Sequence, residues 1–179
     1  MAGIRPAKCY RWDSPAYTRV SNNPSESYIT GIPASKINRF DMGNPIGDFD
    51  TEISIIYDVD TMVRHNALEA TRIIIQKAME KKVGVANYFF KVRVFPHHVM
   101  RQNVQASGAG ADRVSEGMRR AFGKPIGRAA RVRKGQAIYS IYFDHSDVKV
   151  DIVKATLKSA MKKLPGDKSI VVKTVEKNA

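Results

Sequence analysis

Between Phe49 and Asp58 the apolar residues Phe49, Ile53, Ile55 and Tyr57 occupy odd positions, the two-residue period of a strand with one buried face. Tyr88–Phe95 alternates aromatic or Val residues with Lys91 and Arg93 and reads as a half-exposed strand. Two more strands are predicted at Gln136–Phe143 and Ser169–Val175. The period lengthens to that of a helix over Met62–Lys82, where Val63, Ala67, Ala70, Ile74 and Ala78 share a face flanked by Leu68, Ile75 and Met79. Asp60 or Thr61 is the expected N-cap, Lys77, Lys81 and Lys82 complement the dipole at the far end, and Gly84 supplies the stop. A second helix is predicted over Asp147–Leu164, capped by Ser146 or Asp147 and halted by Pro165-Gly166. Val150, Val153, Leu157, Ala160, Met161 and Leu164 form its buried stripe, and Lys154, Lys158 and Lys162 form a cationic ridge on another face.

The first third of the chain lacks such periods. Pro6, Pro15, Asn22-Asn23-Pro24, Gly31-Ile32-Pro33 and Gly43-Asn44-Pro45 punctuate it, leaving room for one short strand around Tyr28–Gly31. Residues 1–26 are expected to run as an extended basic arm, and residues 27–175 to form a single domain. The order of elements, with irregular connections, indicates an α+β fold with mixed or antiparallel strands and two main helices, rather than a doubly wound sheet.

Composition agrees with one core and adds a charge. The chain has 179 residues, of which 43% are hydrophobic. Lys and Arg outnumber Asp and Glu by 30 to 17, a net charge of +13, which makes a polyanion the first partner to consider. The excess is concentrated: residues 101–135 hold nine cations and two acids, a net of +7. Seven of the nine are arginines, whose planar fork matches phosphate and stacks on bases. No apolar run approaches the roughly 18 residues of a membrane span, and residues 1–20 show no secretory pattern. The single cysteine, Cys9, excludes an intrachain disulfide and a paired-thiolate zinc site. These features together predict a soluble, intracellular protein without a membrane partner.

Residues 101–116 form the stretch hardest to reconcile with a core. Asn103 to Asp112 is made mostly of small and polar residues, too poor in apolar groups for a buried stripe, and is expected to be a flexible finger with Arg101 and Arg113 at its base. Gly108-Ala109-Gly110 opens like a dinucleotide loop, so a nucleotide-binding enzyme is the alternative reading, but the third glycine position is Arg113. A Walker-type loop fails because Pro125 follows Gly123-Lys124. His97-His98 reads as structural or RNA-contacting rather than as a metal site. Asp58 and Asp60 read as capping acids. Ser107, Asp112 and His98 lack the context of a catalytic triad. No catalytic residue, metal or cofactor is expected.

The segment Ala111-Asp112-Arg113-Val114-Ser115-Glu116-Gly117-Met118-Arg119-Arg120-Ala121-Phe122-Gly123-Lys124-Pro125-Ile126-Gly127-Arg128-Ala129-Ala130-Arg131-Val132 resembles the signature of the universal large-subunit ribosomal protein sixteen family, in its archaeal and eukaryotic form (ribosomal protein ten-e). Arg5-Pro6-Ala7-Lys8-Cys9-Tyr10-Arg11, Phe40-Asp41-Met42-Gly43-Asn44, Ala67-Leu68-Glu69-Ala70, Arg93-Val94-Phe95-Pro96 and Lys163-Leu164-Pro165-Gly166 extend the likeness over nearly the whole chain. The resemblance implies a single-domain α/β hammerhead sandwich that is a structural constituent of the large ribosomal subunit in the cytoplasm and not an enzyme. It implies large-subunit rRNA, tRNA, neighbouring ribosomal proteins and subunit-maturation factors as partners. The candidate rRNA contacts are Arg5, Lys8, Arg11, Arg19, Lys36, Arg113, Arg119, Arg120, Lys124, Arg128, Arg131, Arg133 and Lys134. By the same resemblance, Arg101, Gln102, Asn103, Ser107, Gly108, Gly110 and Asp112 belong to a loop that approaches the peptidyl-transferase centre and the aminoacyl-tRNA path.

Overall fold

The structure is a computed structural model that describes residues 5–6, 9–10, 14–19, 21–104, 108–111, 117–146, 148 and 150–175. Its elements in chain order are β1 (Asp41–Gly43), β2 (Thr51–Tyr57), β3 (Thr61–Arg64), α1 (His65–Lys82), β4 (Tyr88–Val92), β5 (His98–Gln102), β6 (Lys124–Val132), β7 (Ala137–Phe143), α2 (Val150–Met161) and β8 (Lys168–Thr174). The fold is α+β, and its strand pairings are all antiparallel. One sheet has five strands in the order β1-β4-β7-β2-β8, the other three in the order β3-β6-β5.

Alternation sorts the five-stranded sheet into a wet and a dry face. Phe90, Ile141 and Ile53 stand side by side in register, as do Val92, Tyr139 and Ile55, and all are buried in the main core. Leu68, Ile75 and Met79 of α1 and Val153, Leu157 and Ala160 of α2 complete that core. Tyr139 donates its hydroxyl to the Leu68 carbonyl at 2.8 Å, which satisfies a phenol deep in the interior and ties β7 to α1. On the opposite face Phe89 stacks on Tyr142 at 5.8 Å, and Arg93 pairs with Glu52 at 3.0 Å while donating to the Tyr142 hydroxyl. Lys91 faces Asp41 there, so the charges on this face are largely balanced within the chain.

The four strands expected at Phe49–Asp58, Tyr88–Phe95, Gln136–Phe143 and Ser169–Val175 form, each slightly trimmed or shifted at its ends. Tyr28–Gly31 does not form a strand; the backbone bends there instead. The first helix begins at His65, not Met62, because Thr61–Arg64 pair in register with Val132–Ala129 as β3. Its N-cap residue is Arg64, which makes no side-chain cap. The capping role expected of Asp58 and Asp60 is therefore corrected: Asp58 accepts from the Ser169 hydroxyl at 3.0 Å, and Asp60 accepts from the Lys134 backbone N–H at 2.7 Å. The buried stripe of α1 is His65, Leu68, Thr71, Arg72, Ile75 and Met79, one step around from the alanine-rich face. Arg72 can sit there because Glu69 and Gln76 accept from its guanidinium. Among the described residues no helix is long and apolar enough to cross a membrane.

Candidate nucleic-acid interface

Part of the arginine-dense segment is a strand. Residues Lys124–Val132 form β6, the central strand of the smaller sheet, with β3 on one side and β5 on the other. The small residues that hide it from propensity rules explain how it packs. Ala130 and Val132 point into the main core, while Ala129 lies against Met62 and Met100 in a separate small cluster. Tyr10 and Ile126 pack over that cluster, so a piece of the N-terminal arm serves as its lid.

Several basic residues of the smaller sheet hold the turn-rich N-terminal third in place. Arg131 donates to the Ser14 carbonyl at 2.6 Å and the Pro15 carbonyl at 3.3 Å. Arg64 donates to the Arg5 carbonyl and Arg128 to the Pro33 carbonyl. Arg101 reaches the Tyr17 hydroxyl at 2.7 Å and the carbonyls of Phe122 and Gly123. Its guanidinium carbon lies 4.0 Å from the centre of the Phe122 ring and 5.1 Å from that of Tyr17. The bonds of Arg131, Arg64 and Arg128 are charge-assisted bonds to carbonyls of the turn-rich N-terminal third, while Arg101 ties that segment's Tyr17 to the β5–β6 connection.

Two buried histidines complete the attachment. His98 Nδ1 accepts the Tyr17 backbone N–H at 3.0 Å, and His65 Nδ1 accepts that of Lys36 at 3.2 Å. Each bond requires an unprotonated Nδ1. Burial, reinforced by the Arg131 cation, lowers His98 to about 4; burial, then Lys36, Arg128 and Arg64, lowers His65. His97 is exposed and rests its ring on Phe95, 4.6 Å away, so the two adjacent histidines serve different surroundings.

The remaining candidates divide by location. Arg119, Lys124, Arg133 and Lys134 are exposed, and among the described residues none of them forms an ion pair. Arg5 and Lys36 are exposed as well, and Arg19 places its guanidinium 5.0 Å over the Tyr28 ring. Gln102 and Asn103 are half-buried at the end of β5, and Gly108 and Gly110 are exposed in a turn closed by the Ala111 N–H on the Gly108 carbonyl. Lys8, Arg11, Ser107, Asp112 and Arg113 lie outside the described residues, as does the side chain of Arg120. The glycine pair thus sits on the connection between two antiparallel strands, without the parallel strand-helix-strand unit that a dinucleotide loop requires.

A family model described as ribosomal protein L16p/L10e matches residues 13–171. The chain belongs to the large-subunit ribosomal protein family L16p/L10e. It is 51% identical over 168 residues to a protein of Methanoculleus marisnigri named large ribosomal subunit protein uL16, covering 93% of this chain and 94% of that one. Proteins of the same name from Hyperthermus butylicus and Staphylothermus marinus are 44% identical over 167 residues and 43% identical over 174, covering 90% and 97% of this chain and 88% and 95% of theirs.

In this L16p/L10e chain the residues that fasten the arm were the ones least visible beforehand. Nothing in local sequence distinguishes Arg131, which holds Ser14 and Pro15, from the exposed Arg133 two residues later. The one usable signal is that Arg128 and Arg131 are set among the small residues Gly127, Ala129 and Ala130, which in a strand leave each arginine, on its own face, room to reach.

The histidine bonds predict an acid sensitivity. Both imidazoles bind a proton less readily in the folded than in the unfolded chain. Their contribution is therefore complete above the ordinary value of 6.5 and is lost as pH falls below it, for His98 down toward about 4. Urea unfolding at pH 5 is expected to show the protein about 1–2 kcal/mol less stable than at pH 7 through His98 alone. His98→Asn, which keeps an acceptor but no titration, should flatten that difference; an unchanged pH dependence would remove His98 as its source.

Proposed function

We propose that this protein is a structural, non-enzymatic constituent of the large ribosomal subunit in the cytoplasm, anchored to rRNA by lysine and arginine contacts to phosphate. The observation that carries the reading is the set of exposed cations along the β5–β6 hairpin that form no ion pair among the described residues. Arg119 and Lys124 stand at one end of β6, and Arg133 and Lys134 just beyond the other. A strand of nine residues extends about 30 Å, enough to meet several phosphates of a folded RNA at once. Arg5, Lys8, Arg11, Arg19, Lys36, Arg113 and Arg120 are the further contacts of this reading. Arg128 and Arg131 act first as clamps within the chain and meet phosphate from that fastened position. Shape and backbone contacts dominate such binding, because the major groove of A-form RNA is too deep and narrow to read.

In this reading Arg101, Gln102, Asn103, Ser107, Gly108, Gly110 and Asp112 belong to a loop that approaches the peptidyl-transferase centre and the aminoacyl-tRNA path. Neighbouring ribosomal proteins and maturation factors are the protein partners, and subunit maturation and translation the processes served. The described part of the 1–26 arm, fastened to the smaller sheet, lies between that sheet and RNA in this reading.

Arg119→Ala tests the phosphate assignment. The log–log salt slope of rRNA binding should fall by about 0.7–0.9, one phosphate's worth, with folding unaffected. A salt titration that superimposes on the parent's would refute the role of Arg119. Sedimentation of a lysate should place the parent protein with the large subunit, and its absence there would end the ribosomal reading.

A further inference from the structure

We propose that the cleft between the N-terminal arm and the β5–β6 hairpin is a docking site for one unpaired nucleobase of RNA, stacked on Phe122. This rests on the RNA-binding reading above and names what one part of that surface recognises.

Phe122 is 69% exposed and Met118 is 78% exposed, side by side on the hairpin connection. Single exposed apolar residues are ordinary, but this ring is fixed rather than loose. Arg101 covers it at 4.0 Å, and Tyr17 meets it edge-on at 5.5 Å. Arg101 is itself held by the Tyr17 hydroxyl and by two carbonyls, so the platform is assembled before any ligand arrives. Stacking on a preformed aromatic surface backed by a guanidinium is how unpaired bases are bound.

The rest of the cleft has the matching chemistry. Its volume is about 420 Å³, within the range that encloses a small organic ligand. Gln102 and Asn103 line it; Asn103 Nδ2 already donates to the Gly117 carbonyl at 3.3 Å, which leaves its oxygen and second N–H, with the Gln102 amide, as the donor and acceptor groups that pair with a base edge. Arg5 stands at its border where a phosphate would follow the base, and no Asp or Glu is among the described residues that line it. A peptide would find an apolar wall limited to Phe122, Met118, Ala121 and the Tyr10 ring, whereas a base needs one aromatic face, an amide and a cation.

The exposed Cys9, the only cysteine of the chain, also lines the cleft and reports occupancy without a mutation. The experiment uses the full-length protein with a short fluorescent oligoadenylate, a duplex of the same length, and adenosine monophosphate. The single strand should bind in preference to both and slow alkylation of Cys9. Phe122→Leu should weaken it about fivefold to a hundredfold, Met118→Gln should weaken it severalfold without adding a charge, and Phe122→Tyr should restore it. Met118 makes little contact with the fold, so its variant stays informative if Phe122→Leu fails to fold. Both variants should leave the salt slope on large-subunit rRNA unchanged. Unaltered oligoadenylate affinity in the two variants, no protection of Cys9, or equal binding of the free nucleotide would each overturn the proposal. If those results come with normal rRNA binding, the cleft assignment alone falls; if rRNA binding is also absent, the proposed function falls with it.

Discussion

Replacing Gly123 by alanine is expected to destabilise the protein by more than about 3 kcal/mol, the sum of two effects at one position. Gly123 has φ +77, a left-handed conformation in which a Cβ costs about 1–2 kcal/mol on its own. An added Cβ would also stand 2.4 Å from the Gln102 carbonyl carbon and 2.5 Å from the Asn103 nitrogen, backbone atoms that can yield only by opening the β5–β6 hairpin. The Gly123 carbonyl that receives Arg101 would move with it, loosening Phe122 and Tyr17 together. Gly84 separates the two effects. It has φ +88, but a Cβ added there would meet nothing within 4 Å, so Gly84→Ala should show the conformational part alone. In urea the Gly123→Ala midpoint should fall well below that of Gly84→Ala at similar slope. Equal midpoints would mean the hairpin accommodates the methyl group and the close approach has no energetic consequence.

How far the fold could be read beforehand follows from which forces were local. The alternating runs of β2, β4, β7 and β8 and the stripe of α2 carry their own burial pattern, and they formed. Thr61–Arg64 misled because Val63 fits a helical stripe as well as a strand. The decision between the two lay in β6, nearly seventy residues away, whose Pro125, Gly127, Ala129 and Ala130 have poor strand propensity. These small residues form a strand because Met62 and Met100 on its neighbours, with Tyr10 above, fill the space that larger side chains would contest. That is a tertiary fact, and no window of sequence contains it.

The site was legible in the same uneven way. Charge density marks a region of the chain, and the structure leaves several of its cations exposed, but charge density cannot rank the members. Lys124 and Arg133 remain exposed, while Arg131 and Arg128, in the same run, reach back more than ninety residues to carbonyls of Ser14 and Pro33. Phe122 and Met118 were part of the family signature without a role of their own. Only their exposure beside a pinned guanidinium marks them as a surface feature.

Removing four cations at once separates the anchoring group from the clamping group. In the variant Arg119→Gln, Lys124→Gln, Arg133→Gln, Lys134→Gln, each lost phosphate contact removes about 0.7 from the log–log salt slope of a non-duplex RNA, so the slope should fall by about 3. Extrapolated from the 1 M reference to 0.15 M salt, each contact corresponds to about a fourfold change in affinity, and four together to about two hundredfold. Folding stability should stay within about 0.5 kcal/mol or rise slightly, because these exposed groups have no carboxylate partners among the described residues and the +13 chain repels itself. Arg131→Gln should behave in the opposite sense. Losing the bonds to Ser14 and Pro15 should lower stability by about 1–3 kcal/mol and change the slope by one contact at most. Filter binding across a salt series, with urea unfolding of the same proteins, reads both quantities. If the fourfold variant kept the parent's slope, the ends of β6 would not be where the RNA lies. If Arg131→Gln matched the fourfold variant instead, the clamp and the anchor would be one and the same surface.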